Sequence, residues 1–291
     1  MRDVMSDLPP ALRDAPSPVW VDAPAGYRIP VRRFGMDLPG RPVVLLHGLQ
    51  SHSGWFVQSA RHVSSLGLPA HAFDRCGSGV NEGNCDAGPG LTGLLAEIDA
   101  VADGALAGTD HDSVHILGHC FGSIPALLYA SEHGPDRVAS LVLATPALYT
   151  HTDLPGHDKA RVLWSLLTGR PTRVPVPLFP EQFSERGEFV EFVRKDPLVL
   201  QEVSARFLNE VRRARKQLPE AARRLDVPLF IAMAGGDPIC DNPRNRRLLK
   251  TVPAPTESHE YAGARHILEF SRQRAAFFED LSEWFRSREA E

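Results

Sequence analysis

Cysteine 120 lies in the segment of the chain whose residue pattern points most directly to chemistry. The pentapeptide GHCFG, at residues 118–122, follows the apolar run Val114–Leu117 and precedes a segment of helical periodicity, Ser123–His133. It matches the G-x-S-x-G pattern of a strained strand-to-helix turn with cysteine in the serine position, where the flanking glycines avoid side-chain clashes. The pattern predicts a thiol nucleophile at a helix N-terminus, where the helix dipole favours the thiolate. A buried structural cysteine is the alternative interpretation.

The acid and base that a nucleophilic cysteine needs occur later in the chain. Asp237 lies on a glycine turn after the apolar run Leu229–Ala234, and His266 lies in a loop before the C-terminal helical segment. Nucleophile, acid and base then follow the chain order that this strand–turn–helix motif requires, with His266 withdrawing the thiol proton and Asp237 orienting the imidazole. Asp241 is the competing acid, and its other role is to cap the next helix.

Two backbone N–H groups, those of Leu49 and Phe121, are predicted to form an oxyanion hole. Phe121 follows the nucleophile, and Leu49 lies in the turn after the apolar run Val43–Leu46, for which an ordinary strand-ending turn is the alternative. No metal site is predicted, because the histidines and acidic residues lack zinc spacing. The candidate substrate-contacting residues are His47, Gly48, His119, Trp164, Phe179 and Phe207.

The elements that position these residues alternate between short apolar runs and longer segments of helical periodicity. This alternation predicts an α/β fold with a mostly parallel central sheet flanked by helices. Val19–Asp22 and Arg28–Phe34 are predicted to be short strands at the sheet edge. The other predicted strands are Val43–Leu46, Ala70–Phe73, Val114–Leu117, Leu141–Ala144, Leu229–Ala234 and His259–Tyr261, and the predicted helices are Leu91–Leu106, Ser123–His133, Asn245–Lys250 and Gln273–Arg286.

A long interval between Ala144 and Leu229 interrupts this alternation. It contains a proline-rich stretch, Val174–Pro180, and two predicted helices, Lys159–Leu167 and Leu198–Gln217. We interpret it as a cap inserted over the strand ends. The predicted division is a flexible N-terminus at residues 1–16, an α/β core at 17–146 and 219–291, and a helical cap at 147–218.

Composition limits the classes of partner. The 291 residues include 32 Lys and Arg and 36 Asp and Glu. The resulting formal net charge of −4 gives no reason to expect nucleic acid or an anionic membrane as partner. No apolar run is long enough to span a membrane and no signal-peptide pattern is present, so a cytoplasmic location is expected. The four cysteines, Cys76, Cys85, Cys120 and Cys240, are expected to be free thiols.

These motifs resemble those of the α/β-hydrolase superfamily, especially its monoacylglycerol-lipase and lysophospholipase-like branch. The resemblance covers nearly the whole chain, through HGLQSHSGWF, AFDRCGSGVNEG, GHCFGS, KDPLVLQEV, VPLFIAMAGGDPICD and YAGARHIL. It implies an α/β-hydrolase fold with a serine nucleophile, where this chain has Cys120. Through that substitution the chain also resembles the cysteine-dependent aminoacyltransferases of nonribosomal peptide pathways, which pass aminoacyl groups between the phosphopantetheine arms of carrier proteins.

Cysteine in place of serine changes the reaction that is expected. Attack by a thiolate on an acyl carbonyl gives a thioester, which is close in energy to a thioester donor and stays reactive toward a second thiol. We therefore expect Cys120 to pass an acyl or aminoacyl group between thiol carriers, with phosphopantetheine as the arm of a carrier-bound substrate and with no cofactor. The alternatives are a thioesterase or lipase-like esterase, a hydrolase-fold binding protein without turnover, and a serine enzyme in which cysteine was introduced to trap an acyl-enzyme.

Basic residues at the end of the predicted cap suggest a docking surface for such carriers. Because carrier proteins and phosphopantetheine are acidic, a basic surface would steer them toward the site. A solvated helix face is the alternative. The residues concerned are Arg206, Arg212, Arg213, Arg215, Lys216, Arg223 and Arg224.

Overall fold

An eight-stranded sheet forms the centre of the molecule in the computed structural model, which describes residues 15–24, 26–81 and 90–290. Its strand order is β1-β2-β4-β3-β5-β6-β9-β10. The strands of the sheet are β1 (Val19–Asp22), β2 (Arg28–Phe34), β3 (Val43–Leu46), β4 (Ala70–Phe73), β5 (Val114–His119), β6 (Val138–Ala144), β9 (Leu229–Ala234) and β10 (Thr256–Tyr261). Strand β2 runs antiparallel to its neighbours, and every pairing from β4 to β10 is parallel. The α/β class with a mostly parallel sheet is confirmed.

Eight helices among the described residues surround this sheet. They are α1 (Val57–Ser65), α2 (Gly90–Leu106), α3 (Ser123–His133), α4 (Gly156–Thr168), α5 (Gly187–Lys195), α6 (Ala205–Arg224), α7 (Asn242–Leu249) and α8 (Arg274–Glu289). None of the helices within these ranges combines the length and the apolarity needed to cross a bilayer.

The central strands are apolar on both faces because helices cover the sheet on both sides. Every residue of β9 is buried, and its side chains alternate between two separate cores. Ile231 packs with α2, α3 and α6 residues in one core, while Phe230 packs with α1 and α8 residues in the other. This two-sided burial fixes the register of the sheet and therefore the positions at which its strands end.

The carboxyl ends of β3 and β5, and of β9 and β10 on the other side of β6, bring the predicted site residues to one edge of the sheet. Leu46, the last residue of β3, pairs with Gly118 of β5, so the turn that contains Leu49 lies beside Cys120. Tyr261, the last residue of β10, pairs with the end of β9, so the loops that carry Asp237 and His266 start side by side. Such an edge is where open α/β sheets place their ligand sites.

The chain between β6 and β9 forms α4, a two-stranded ribbon of β7 (Arg173–Pro175) and β8 (Glu202–Ser204), α5 and α6. The helix predicted over 198–217 is wrong at both ends. It begins only at Ala205, where the Ser204 hydroxyl caps it by accepting from the N–H of Phe207 at 3.1 Å, and it continues through Pro219. Residue 218, the predicted C-terminal boundary of the cap, therefore lies inside α6. The division of the chain into core and cap stays a prediction.

Buried polar contacts attach this insertion to the core. The carboxylate of Asp196 accepts from His52 Nε2 at 2.8 Å and from Trp55 Nε1 at 2.5 Å. Burial opposes ionisation of this carboxyl, but the hydrogen bond and charge of His52 hold the pKa of Asp196 below its usual value. The N–H of Leu200 donates to the carbonyl of Gln50 at 3.0 Å. The insertion is thus fixed to the segment that follows β3.

The cysteines differ in part from their predicted state. Cys120 and Cys240 are free and buried, as expected. Cys76 is disulfide-bonded, so the prediction of a free thiol is wrong there. That prediction was based on the expected compartment, whereas bonding depends on whether two sulfurs meet in the fold. Cys85, like nearly all of the predicted flexible segment 1–16, lies outside the described residues.

Candidate active site

The turn after β5 holds Cys120 in a conformation that is rare for a residue with a side chain. Its φ is +51°, in the left-handed region, and a single turn of 3-10 helix from Cys120 to Gly122 leads into α3. Non-glycine residues in this region are strained, and such strain is concentrated at functional sites. The structure thus places the thiol on a sharp strand-to-helix turn, as the pentapeptide predicts.

Close backbone approaches explain the glycines around this turn. A Cβ at Gly122 would lie 2.6 Å from the carbonyl oxygen of Leu46 and 2.8 Å from that of His47. A Cβ at Gly48 would lie 3.0 Å from the Cβ of Cys120. The absence of side chains therefore lets the turn after β3 pack directly against the nucleophile turn.

Replacing Gly122 with alanine is expected to lower the free energy of unfolding by about 1–3 kcal/mol, because the new methyl group can be accommodated only if backbone shifts. Chemical denaturation would measure the loss. Gly156→Ala is the matched control, since a Cβ there meets nothing within 4 Å, and its stability should equal or slightly exceed that of the unchanged protein. Equal stability of both variants would contradict the close approach.

Asp237 and His266 form a buried pair. Oδ2 of Asp237 accepts from Nδ1 of His266 at 2.8 Å, and both side chains are fully buried. Oδ1 of the same carboxylate accepts from the N–H groups of Ile239 and Cys240 at 2.8 and 3.1 Å. Asp241 instead accepts from the N–H of Arg244 at 3.0 Å as the cap of α7. Of the two candidate acids, the structure brings Asp237 to the imidazole.

Electrostatic coupling joins this pair to the thiol. Burial opposes protonation of His266, but the charges of Asp237 and Cys120 raise its pKa well above that of a free imidazole. Burial likewise opposes ionisation of Cys120, but the charge of His266 lowers the pKa of the thiol. Opposite shifts of this kind favour a thiolate–imidazolium pair near neutral pH.

The backbone N–H groups of Leu49 and Phe121 belong to the two turns that meet at Cys120. Both groups lower the pKa of the thiol, and the turn of Leu49 packs against Cys120, since a Cβ at Gly48 would lie 3.3 Å from its sulfur. These positions suit donors to an oxyanion on an attacked carbonyl. The guanidinium of Arg75 donates to the carbonyl of Leu49 at 2.6 Å and lies 5.2 Å from the ring centroid of Phe121. Arg75 thus holds both donor residues, a positioning contact that the sequence analysis did not assign.

His47 and His119 lie beside the nucleophile as neutral side chains. Nδ1 of His47 donates to the carbonyl of Gly48 at 2.8 Å, and its Nε2 accepts from the N–H of Arg75 at 3.1 Å. Burial lowers the pKa of both histidines to about 3. The ring of His119 stacks on Phe56 with a centroid separation of 4.0 Å. His119 and Gly48 line a small pocket with Cys120 and His266, whereas His47 supports the turn from behind.

A larger cavity of about 360 Å³ opens next to Cys120 beneath the insertion. Phe207 lines it, as predicted from the sequence. Most of the wall is aliphatic or aromatic, and polar groups occupy one part of it. The lining residues outside the turns at Leu49, Cys120 and Phe121 include Leu154, Val162, Leu166, Val176, Leu178, Leu208, Val211, Ile239, Thr150, Arg212 and Arg215.

The structure does not place Trp164 or Phe179 on this wall. Trp164 lies on α4 with 48% of its surface exposed and packs against Arg170, because Val162 and Leu166 form the inner face of that helix. Phe179 is 64% exposed. Residues two positions apart on a helix point in nearly opposite directions, so the choice of face decides which side chain meets a ligand.

Among the described residues, the only cluster with metal-ligand composition is Asp237, Cys240 and His266. Its donor atoms lie within 4.8 Å of one another, and Sγ of Cys240 is 3.7 Å from Nδ1 of His266. Because Nδ1 already shares a hydrogen bond with Asp237, a metal ion here would displace the contact that orients the imidazole. We assign no resident metal to this cluster.

The strand order, the turn at Cys120 and the chain order of Cys120, Asp237 and His266 define the class of α/β hydrolases. Within this class the chain belongs to the Hydrolase_4 family, described as serine aminopeptidase, S33, whose model matches residues 39–273. The family description names a serine enzyme, whereas this chain has cysteine at the nucleophile turn.

Individual relatives are lipases. The chain is 25% identical to human monoglyceride lipase over 268 residues, which cover 86% of this chain and 85% of that protein. The crystal structure of Paleococcus ferrophilus monoacylglycerol lipase superposes with a TM-score of 0.78 at 23% identity, covering 89% of this chain and 99% of that one. A soluble variant of monoglyceride lipase from Saccharomyces cerevisiae superposes with a TM-score of 0.79 at 17% identity, covering 94% and 95%. These superpositions confirm the α/β-hydrolase fold.

Proposed function

We propose that the protein is an acyl hydrolase of the lipase, esterase or thioesterase type that forms a transient acyl thioester on Cys120. The observation that carries this proposal is that His266, Leu49 and Phe121 surround Cys120. The thiol lines one small pocket with His266 and Leu49, its pKa is lowered by the charge of His266 and by the N–H groups of Leu49 and Phe121, and it lies on the wall of a largely apolar cavity.

The chemistry follows from these positions. The thiolate of Cys120 attacks the acyl carbonyl, and the N–H groups of Leu49 and Phe121 stabilise the tetrahedral oxyanion. As the intermediate collapses, the imidazolium of His266 gives its proton to the leaving alkoxide or thiolate, and the acyl group stays on sulfur. Neutral His266 then takes a proton from water, which attacks the thioester and releases the acid. The chain supplies every group, so the reaction needs no cofactor.

Two observations favour hydrolysis over transfer between carriers. Several relatives are monoglyceride lipases that match most of this chain's length. The basic residues of α6 do not form one open surface, since Arg213 and Arg224 pair with Glu210 and Glu220 on the same helix. Arg212 and Arg215 line the cavity instead.

Acyl transfer between thiols remains the second candidate because of one observation, the thiol itself. A thioester on Cys120 has nearly the energy of a thioester donor, so a second thiol can compete with water for the acyl group. A binding protein without turnover has less support, because a site kept only for binding does not require the hydrogen bond between Asp237 and His266.

The test is to offer one acyl group in three forms, as a monoacylglycerol, a p-nitrophenyl ester and a thioester, and to follow both free acid and protein mass. We expect free acid as the main product and a transient mass increase that maps to Cys120. Added thiol acceptors that collect most of the acyl group would establish transfer instead. With Cys120→Ala as the control, formation of acid at an unchanged rate would contradict both candidates.

A further inference from the structure

Arg215 is a half-buried cation without a carboxylate partner among the described residues. It lies on α6 in the wall of the cavity that also contains Cys120. Its Nε is buried and has no hydrogen-bond partner, and its Nη2 makes one long hydrogen bond, 3.4 Å, to Oγ1 of Thr150. A guanidinium that is removed from water normally pairs with an anion. The unpaired N–H donors of Arg215 therefore form a candidate anion-binding site.

The position of Arg215 connects it to the reaction centre. Thr150, its one hydrogen-bond partner, forms an isolated β-bridge with Cys240, whose sulfur is 3.7 Å from Nδ1 of His266. Burial lowers the pKa of Arg215, and the nearby groups that oppose this shift most are the thiols of Cys120 and Cys240. The guanidinium is therefore close enough to the nucleophile to contact a substrate bound there.

The charges around the cavity favour an anionic ligand. Arg212 also lines it, and Arg244 lies over the ring of Tyr149 at 3.8 Å and acts electrostatically on Arg215. The single acidic residue in the lining, Asp153, is exposed and already paired with Lys159. The polar part of this otherwise apolar wall is thus positive.

We propose that Arg215 binds a carboxylate carried by the acyl part of the substrate, so that Cys120 acts on monoesters or monothioesters of dicarboxylic acids. The planar fork of arginine matches the two oxygens of a carboxylate, and the aliphatic wall accepts the methylene chain between the two ends. The inference rests on the proposed acyl chemistry at Cys120 and adds the class of acyl group.

The binding test uses the monoamide of adipic acid and the uncharged hexanamide, with calorimetry on the full-length protein. We expect the monoamide to bind about 10- to 100-fold more tightly, as a charged hydrogen bond in a partly buried site provides. Arg215→Met should abolish this preference and Arg215→Lys should retain part of it. Arg213→Met is the matched control, because Arg213 is exposed on the same helix and paired with Glu210. Equal affinities for the two probes would overturn the proposal.

A kinetic test separates this site from the proposed function. Adipoyl and hexanoyl thioesters of N-acetylcysteamine are compared, and Arg215→Met should lower kcat/KM about 10- to 100-fold for adipoyl but little for hexanoyl. If Arg215→Met slowed the reactions of both thioesters equally, Arg215 would instead stabilise the thiolate or maintain the shape of the cavity. The proposed carboxylate site would then be wrong. Selective binding of the monoamide without acylation of Cys120 by either thioester would support the site and reject the hydrolase.

Discussion

Replacing Cys120 with alanine is expected to lower kcat by on the order of 10⁴-fold or more without unfolding the protein. Alanine removes the atom that forms the acyl bond and leaves the oxyanion donors in place. Cys240→Ala is the control, because Cys240 is the other free buried thiol in the part of the chain that the structure describes, and burial raises its pKa so that it stays protonated. Ester and thioester hydrolysis under saturating substrate would measure both variants. A Cys120→Ala protein with normal turnover would refute the proposed mechanism.

Cys120→Ser offers a finer comparison. Serine keeps the geometry but does not ionise, so the thiolate–imidazolium pair is lost and His266 must act as a neutral general base. We expect the variant to require the deprotonated imidazole, so that its kcat rises with pH through the pKa of His266. The unchanged protein should instead lose activity as the pH rises through its own His266 pKa, which the charge of Cys120 raises above that of the variant, because its active pair loses the imidazolium proton there. Identical pH profiles would contradict the ion pair.

Asp237→Asn is expected to lower kcat by about 10⁴-fold, since an amide can favour the wrong tautomer of the imidazole. It should also change the pH dependence. In the unchanged protein, activity rises with pH through the lowered pKa of Cys120 and falls through the raised pKa of His266. Apart from burial, which acts in the other direction, the charge of Asp237 is the largest influence on His266. Without it, the alkaline limb should move to lower pH.

Asp241→Asn is the matched control for this change. Asp241 caps α7 and does not contact the imidazole, and asparagine is an equally good capping residue. Its kcat and pH profile should therefore match those of the unchanged protein. If both aspartate variants lost activity to the same extent, the assignment of Asp237 as the orienting acid would fail.

The sequence identified the parts of the site that depend on the order of strands and turns. Cys120 and Asp237 follow buried strands and His266 follows the edge strand β10, while β3 and β9 have the predicted bounds because fully apolar runs of this length bury both faces of a sheet. The thiol, the imidazole and the carboxylate therefore come together as the chain order requires. Their catalytic roles stay proposals that the variants above test.

Features that depend on tertiary packing were not predicted. Helix α1 contains serine and valine, which are weak helix formers, and it is stabilised by its packing against β4 and α8. The lack of a carboxylate partner for Arg215 among the described residues and the inner face of α4 both follow from how the insertion lies on the core. The helical periodicity of α4 would have placed Val162 and Leu166 on one face of the helix. It would not have shown that this face meets the cavity.

The attachment of the insertion at Gln50 has a mechanical consequence. The N–H of Leu200 donates to the carbonyl of Gln50, and Gln50 directly follows Leu49, whose N–H lowers the pKa of Cys120. The insertion over the cavity is thus joined by one hydrogen bond to the turn that carries a proposed oxyanion donor. Any displacement of the insertion must break this hydrogen bond or move that turn, so the width of the cavity and the position of the donor are coupled through Leu49 and Gln50.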